Sequence, residues 1–599
     1  MISTLLILLV SALLCAALGF LPRMAALARI PAVLGAAAAL AVALLREGLH
    51  GGGLAGAALP WPQALAWLGG PLYWSDTLSV GLGLWCLLAG GVCLLTIEEG
   101  ENAHRQLATT LLTLATLYSL TYTQHLLAFA GQVLLLSLLV WAYHAWAAPQ
   151  QGRAGTGRHL VALGLGAITL LGAALLIGRT TGGAYHLADL SLSALTVWPL
   201  SLIALFTALW LGMAPFTGWS AQGHNGTHGA LVQALVLGIP AVTLLLRLQA
   251  LITSQSLAGT IPPEWAGFTS ALIWLGSATS IVAAAGMVLW AATPRWTALL
   301  AAHTLGLVVW ALGLDNPASR TAALSILLAF GAARVGMTLS PRLTSVQGWG
   351  KLPGLLAMSS VAAVPLTPGF VGVWLLASSL AGTGHPSLAV LLLGAVILAA
   401  CGTALRVAAP RPLDTPQPPY RQYLAWAGIA AGGALLLAGV LPGWWLPQAQ
   451  AMAGIAGGSP PLALPWTGIR AGDGLLPLLL LAGGAALLAG IGWLVTSWAR
   501  SGVSVTGLLL PTALDRLAKS DRPPVGSGPE GPLTDLLSNP PAAIWWLSLS
   551  WLETSIWGFG ALLSRLGIRS GGLLARLEGR FYLPLALILT LIIILIVSR

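Results

Sequence analysis

The chain has 599 residues, of which 57% are hydrophobic and only 7% charged, with a formal net charge of +10. Soluble domains carry about 25% charged residues, so a soluble protein is excluded. Apolar runs of about 18 residues or more recur throughout, whereas the alternating ~10-residue segments of a β-barrel do not. The basic excess is scattered through loops, which fits positive loops on the cytoplasmic side of a membrane and not a nucleic-acid surface.

In chain order the apolar runs give about sixteen spans. Their approximate limits are 2–20, 30–45, 78–96, 107–122, 125–147, 160–178, 192–214, 228–252, 268–292, 296–313, 318–340, 353–380, 386–408, 421–443, 473–497 and 581–597. The first segment lacks a basic leading region and a clear small-residue cleavage site, so it reads as a retained helix rather than a signal peptide. Cys15, Cys86, Cys93 and Cys401 stand singly in apolar stretches and read as small core residues, not as metal ligands or disulfides. With the N-terminus outside, the odd-numbered loops hold most of the Arg and Lys residues. The even-numbered loops and their flanks hold mainly Arg46, Arg179, Arg247, Arg320 and Arg470. That asymmetry predicts an N-out, C-out topology.

Residues 498–580 depart from this pattern. A Pro/Gly-rich loop (KSDRPPVGSGPEGP) precedes Ala542–Ile568, where Trp545, Trp546, Trp551 and Trp557 sit among apolar residues. A lateral amphipathic helix at the membrane interface and a further span are both open readings. The expected organisation is N-terminal helices at 1–106, five-helix units at 107–252 and 268–408, and C-terminal helices at 421–497. The loop with its lateral segment at 498–580 and a terminal helix at 581–599 complete it.

Two spans carry helix breakers. The seventh contains LGMAPFTGW, with Pro215 and Gly218; the twelfth contains AVPLTPGFVGVW, with Pro365, Pro368 and Gly369. Proline costs a helix interior about 3 kcal/mol, so these positions read as hinges. Breaks five spans apart at matching positions are the pattern of an inverted-repeat transporter, in which freed backbone groups line a polar cavity or find partners on neighbouring helices.

The APFTGW break, the following SAQGHNGTHGALVQALVLGIPAVTLLLRL and the later VPLTPGFVGVW resemble the antiporter-like membrane subunits of respiratory complex I. That family also includes subunits of Mrp-type cation/proton antiporters and of membrane-bound hydrogenases. The resemblance covers roughly residues 75–410. It implies an all-α polytopic fold with two inverted five-helix repeats, and proton movement through buried ionisable groups whose charge a neighbour can switch.

This sequence departs from the family at those groups. The fifth-helix glutamate falls on Gln132, which cannot titrate. The seventh-helix lysine, five residues before the proline, falls on Trp210, and the eighth-helix histidine on Gln233. The eleventh-helix lysine falls near Ala332, with Arg334 two residues on, and the twelfth-helix lysine near Val373. No lysine occurs before Lys351.

The remaining polar candidates each carry two readings. His303 is a relay group or a hydrogen-bonded core histidine. His224 and His228 admit protons at the cytoplasmic mouth or belong to a plain polar loop; Asn225 and Gly226 argue against a metal-binding helix there. Glu98–Arg105 (EEGENAHR) is a solvated loop or a contact with a neighbouring subunit. Arg334 is the costliest charge to bury and needs a partner or an interface.

The sequence thus points to a membrane subunit of a multi-subunit, complex I-like ion-translocating assembly with a degenerate proton path and a structural or sealing role. The alternatives are the membrane partner of an inorganic-carbon uptake complex, an Mrp-type antiporter component, or a stand-alone transporter. Expected partners are other membrane subunits, including paralogous antiporter-like ones, and the lipid bilayer. No cofactor, metal, catalytic residue or nucleic acid is expected. The expected location is the inner membrane of a prokaryote.

Overall fold

The computed structural model describes residues 1–20, 24–49, 57–58, 73–97, 102–147, 153–214, 216, 229, 231–256, 261–289, 291, 295–339, 352–383, 386–408, 422–454, 468–471 and 474–477. Pro215, Gly218, His224, His228, the carboxylates of 98–101, the lateral segment 542–568 and the terminal span 581–597 lie outside them. Every expected span up to 421–443 overlaps a described helix.

The first seven helices are α1 (Ile2–Gly19), α2 (Arg29–Leu49), α3 (Thr77–Leu95), α4 (Ala103–Tyr122), α5 (Leu126–Ala147), α6 (Arg153–Thr180) and α7 (Val197–Trp210). A π turn, Val232–Leu237, leads into α8 (Gly238–Ser256). Then follow α9 (Pro263–Leu289), α10 (Arg295–Gly313), α11 (Pro317–Leu339), α12 (Leu352–Val361), α13 (Pro368–Gly382), α14 (Pro386–Ala408), α15 (Gln422–Val440) and α16 (Pro442–Met452). Ten stretches among the described residues are long and apolar enough to cross a membrane, or eleven if the pair bent by 83° at Leu441 counts as one span. The protein is therefore a multi-pass, mostly helical membrane protein. Residues Gly474–Pro477 pair with Gly468–Ala471 in a short hairpin, where a helix was expected from 473.

Burial separates core from rim. Over the most apolar 18 residues of Val232–Gln255, 94% are buried, against 28% in the corresponding stretches of α1, α2 and α14. A helix apolar on all sides belongs inside a bundle, and the π turn with α8 touches α3, α4, α10 and α11. The rim exposes large apolar side chains such as Leu13, Leu34, Trp198, Trp274 and Val390, a surface that a bilayer or neighbouring subunits must cover.

The two broken spans end in the same turn. After Trp210, the Met213 amide donates to Ala208 O at 2.9 Å and the Gly212 amide to Leu209 O at 3.3 Å. Gly212 has φ +63. After Val361, the Val364 amide donates to Ser359 O at 2.9 Å and the Ala363 amide to Ser360 O at 3.1 Å, and Ala363 has φ +52. Both are Schellman motifs, which satisfy the last carbonyls of a helix through a left-handed residue. Helix α7 therefore ends at Trp210, and its closing turn at Gly212 lies three positions before residue 215 in sequence. Pro365 lies in the second turn, while Pro368 occupies the first turn of α13 behind Thr367, where its missing amide costs nothing. Gly369 is a point of close approach rather than a hinge: a Cβ there would lie 1.8 Å from Ser360 O.

The left-handed region costs a residue with a Cβ about 1–2 kcal/mol. Gly212→Ala is therefore expected to destabilise the protein by about 1–2 kcal/mol, and Ala363→Gly to stabilise it by about 1 kcal/mol or less once chain entropy is counted. Thermal unfolding of the full chain in detergent checks both signs; a stabilising Gly212→Ala refutes the turn assignment.

Candidate ion-path site

Among the positions where the family resemblance implies titratable groups, Gln132, Trp210 and Gln233 present two amides and an indole to the interior. Gln132 on α5 is satisfied by α4: its Nε2 donates to Ser119 Oγ at 2.9 Å, and Thr123 Oγ1 donates to its Oε1 at 2.9 Å. Ser119 Oγ in turn donates to the Tyr73 hydroxyl at 3.1 Å. Trp210, fully buried at the end of α7, packs tilted against Phe206 and donates its Nε1–H to Val236 O at 2.9 Å. Beyond it, the Ala214 amide donates to Thr279 Oγ1 of α9 at 3.1 Å, so backbone freed by the break is taken up by a neighbouring helix.

Gln233 lies in the π turn at 0% exposure, and neither side-chain polar atom has a partner among the described residues. His303 on α10 is held by α9: its Nδ1 lies 3.0 Å from Ser280 Oγ and 3.1 Å from Ser280 O. That grip depends on a close helix crossing, because a Cβ on Gly276 would lie 2.7 Å from Gly306 O. Small residues permit such approaches. Arg334 on α11 is 3% exposed, and among the described residues its Nη1 donates to Met337 Sδ at 3.7 Å. Among the described residues, no hydrogen bond or ion pair joins any two of Gln132, Trp210, Gln233, His303 and Arg334. Trp210 reaches the π turn that carries Gln233, through Val236 O.

The buried charges that pair with carboxylates are arginines that the loop-charge pattern places among the even-numbered loops and their flanks. Arg247, expected at the end of the eighth span, is 6% exposed. It donates to Ser79 Oγ at 3.0 Å and to the carbonyls of Thr121 and Thr123, and it lies 3.9 Å from Asp76 Oδ2. Asp76 caps α3, accepting from the Ser79 amide at 2.6 Å, and takes a bond from Gln124 Nε2 at 3.3 Å. Arg320 is likewise buried, at 8%, and binds Asp315 Oδ1 at 2.7 Å and Thr253 Oγ1 at 2.8 Å. Asp315 also accepts from Trp265 Nε1 at 2.8 Å. Both guanidinium–carboxylate pairs sit at the even-loop ends of their helices. Arg247 falls inside the expected span 228–252, and that position was the available sign that it is buried.

Above Arg247 the chain forms a small cap, with bridges Tyr73–Thr123 and His125–His186. The Leu126 amide donates to Tyr185 O at 2.8 Å, and the Leu187 amide to Gln124 O at 3.0 Å. His186 packs edge-on to Trp74 and lies 3.8 Å from Asp189.

No protein-family model and no curated protein sequence matches the chain. Solved structures do. A chain of respiratory complex I from Thermus thermophilus is 25% identical with a TM-score of 0.60, covering 75% of this chain and 99% of that one. A chain of the Mrp complex from Dietzia sp. DQ12-45-1b is 17% identical with a TM-score of 0.66, covering 99% of this chain and 71% of that one. A chain of the membrane-bound sulfane sulfur reductase, an archaeal respiratory membrane complex, is 16% identical with a TM-score of 0.69, covering 98% and 99%.

Burial pushes the His186 imidazole below its ordinary value of 6.5; Asp189 opposes that shift and Arg247 adds to it. The unfolded chain therefore binds the proton first, and His186 removes stability as pH falls below 6.5. His186→Gln is expected to flatten the fall in melting temperature between pH 7.5 and the acid side. An unchanged slope means that other groups govern it.

Proposed function

We propose, from the premise that this chain is an antiporter-like membrane subunit in fold, that it serves in a multi-subunit ion-translocating assembly and that its own proton path is degenerate. The observation that carries this is Trp210. Where the resembled family places a titratable lysine, a fully buried indole spends its only donor on Val236 O. Gln132 spends both ends of its amide on Ser119 and Thr123, and neither side chain stores a proton.

Two five-helix repeats agree with the paired Schellman turns at Gly212 and Ala363. The exposed apolar rim suits lipid and neighbouring membrane subunits, including paralogous ones. The loop-charge asymmetry supports a prokaryotic cytoplasmic membrane with the even-numbered loops outside. In this role the chain seals and props the assembly while neighbouring subunits move the ion.

The test is proton flux by the purified complex in liposomes. Gln132→Leu and His303→Ala are expected to leave flux within about twofold of the unmodified complex, and Trp210→Lys alone is expected to create none, since a single group without partners forms no relay. A tenfold loss with Gln132→Leu or His303→Ala overturns the degenerate path. Sodium- or potassium-coupled antiport by the complex that fails with the same variants favours an Mrp-type component instead.

A further inference from the structure

The π turn that leads into α8 and the hydrogen bond of Trp210 converge on the turn before one residue, Pro240. In a regular helix the amide of residue 240 donates to the carbonyl of residue 236, but proline has no amide hydrogen and its ring presses on that carbonyl. The turn just before it, Val232–Leu237, is widened to π geometry, which relieves such a clash at the expense of one mismatched carbonyl. The carbonyl in question, Val236 O, accepts from Trp210 Nε1 at 2.9 Å. Both residues are wholly buried, with no water-exposed alternative.

We propose that Trp210 is the fastener of a register lock: its indole N–H replaces the amide that Pro240 lacks, and so holds residues 232–237 in π geometry. The lock has a consequence for Gln233. Converting a π turn to regular helix shifts the residues before it by one position, a rotation of about 100°. Gln233, whose amide has no partner among the described residues at 0% exposure, is then rotated from its present position in a turn that packs against α3 and α11. Trp210 is a positioning residue for Gln233, acting from another helix across the break. Its bulk alone does not explain this contact; the single N–H does.

A double-mutant cycle on the full chain in nanodiscs tests the lock. Trp210→Phe keeps a ring and deletes the donor, and Pro240→Ala restores the missing amide. With Cys401→Ser removing the one half-exposed thiol, Gln233→Cys reports register through its reaction rate with a small thiol reagent. Trp210→Phe is expected to change that rate about tenfold or more, the factor implied by one unsatisfied buried carbonyl. In the Pro240→Ala background it is expected to change it less than threefold. The melting temperature should follow the same non-additive pattern. Equal effects of Trp210→Phe in both backgrounds, or no effect in either, overturn the proposal. If Trp210→Phe does not yield folded protein, the yield itself is the readout: rescue by Pro240→Ala supports the lock, and no rescue overturns it.

Discussion

A bilayer interior offers backbone groups no water, so every N–H and C=O must find a partner inside the protein. That constraint shapes each irregular point of this chain. Where α7 and α12 stop, Schellman turns at Gly212 and Ala363 return the last carbonyls to the helix. Where the chain leaves α7, Thr279 of α9 takes the next amide. Where Pro240 removes a donor from α8, Trp210 supplies one. Breaks are tolerated here because neighbouring helices satisfy them.

The polar groups inside sort by what they are bound to. Gln132, Trp210 and His303 are each tied to a neutral protein partner. The strong charges lie near the even-loop ends, where Arg247 and Arg320 pair with Asp76 and Asp315. A buried guanidinium left unpaired costs several kcal/mol, so these pairs, with the carbonyls of Thr121 and Thr123, fix how α3, α4, α8 and α11 meet. They cement one side of the bundle. The middle of the bundle, where a transport path would need switchable charge, is neutral among the described residues apart from Arg334 toward the odd-loop end of α11.

The helices were legible because apolar runs of about 20 residues have one stable arrangement in lipid; each expected span up to 421–443 meets a described helix. The two breaks were legible as well, through Pro215 and Pro365, although the turns are made by the residues just before them. Arg247 and Arg320 were misplaced. A long cation near the end of a span reads as one that reaches the interface, and only the approach of Asp76 and Asp315 from other segments turns it inward. The roles given to Pro368 and Gly369 changed for a similar reason: a first-turn proline starts a helix, and the proximity of Ser360 O is invisible in a linear chain.

The sequence by itself determined that this is a many-span membrane protein with two interrupted helices and no lysine in its first 350 residues. Through the family resemblance it also set the expectation that Gln132, Trp210, Gln233, Ala332 and Val373 stand where titratable groups are implied. The spans and their breaks follow from composition and local chemistry, which are properties of neighbouring residues. Only the tertiary structure decided what those residues do: that Trp210 reaches a carbonyl 26 residues away, that Gln132 is spent on α4, and that Arg247 binds a carbonyl 124 residues distant. The physical reason is that a hydrogen bond is settled by which donor and acceptor the packing brings within about 3 Å, and sequence separation carries no record of that distance.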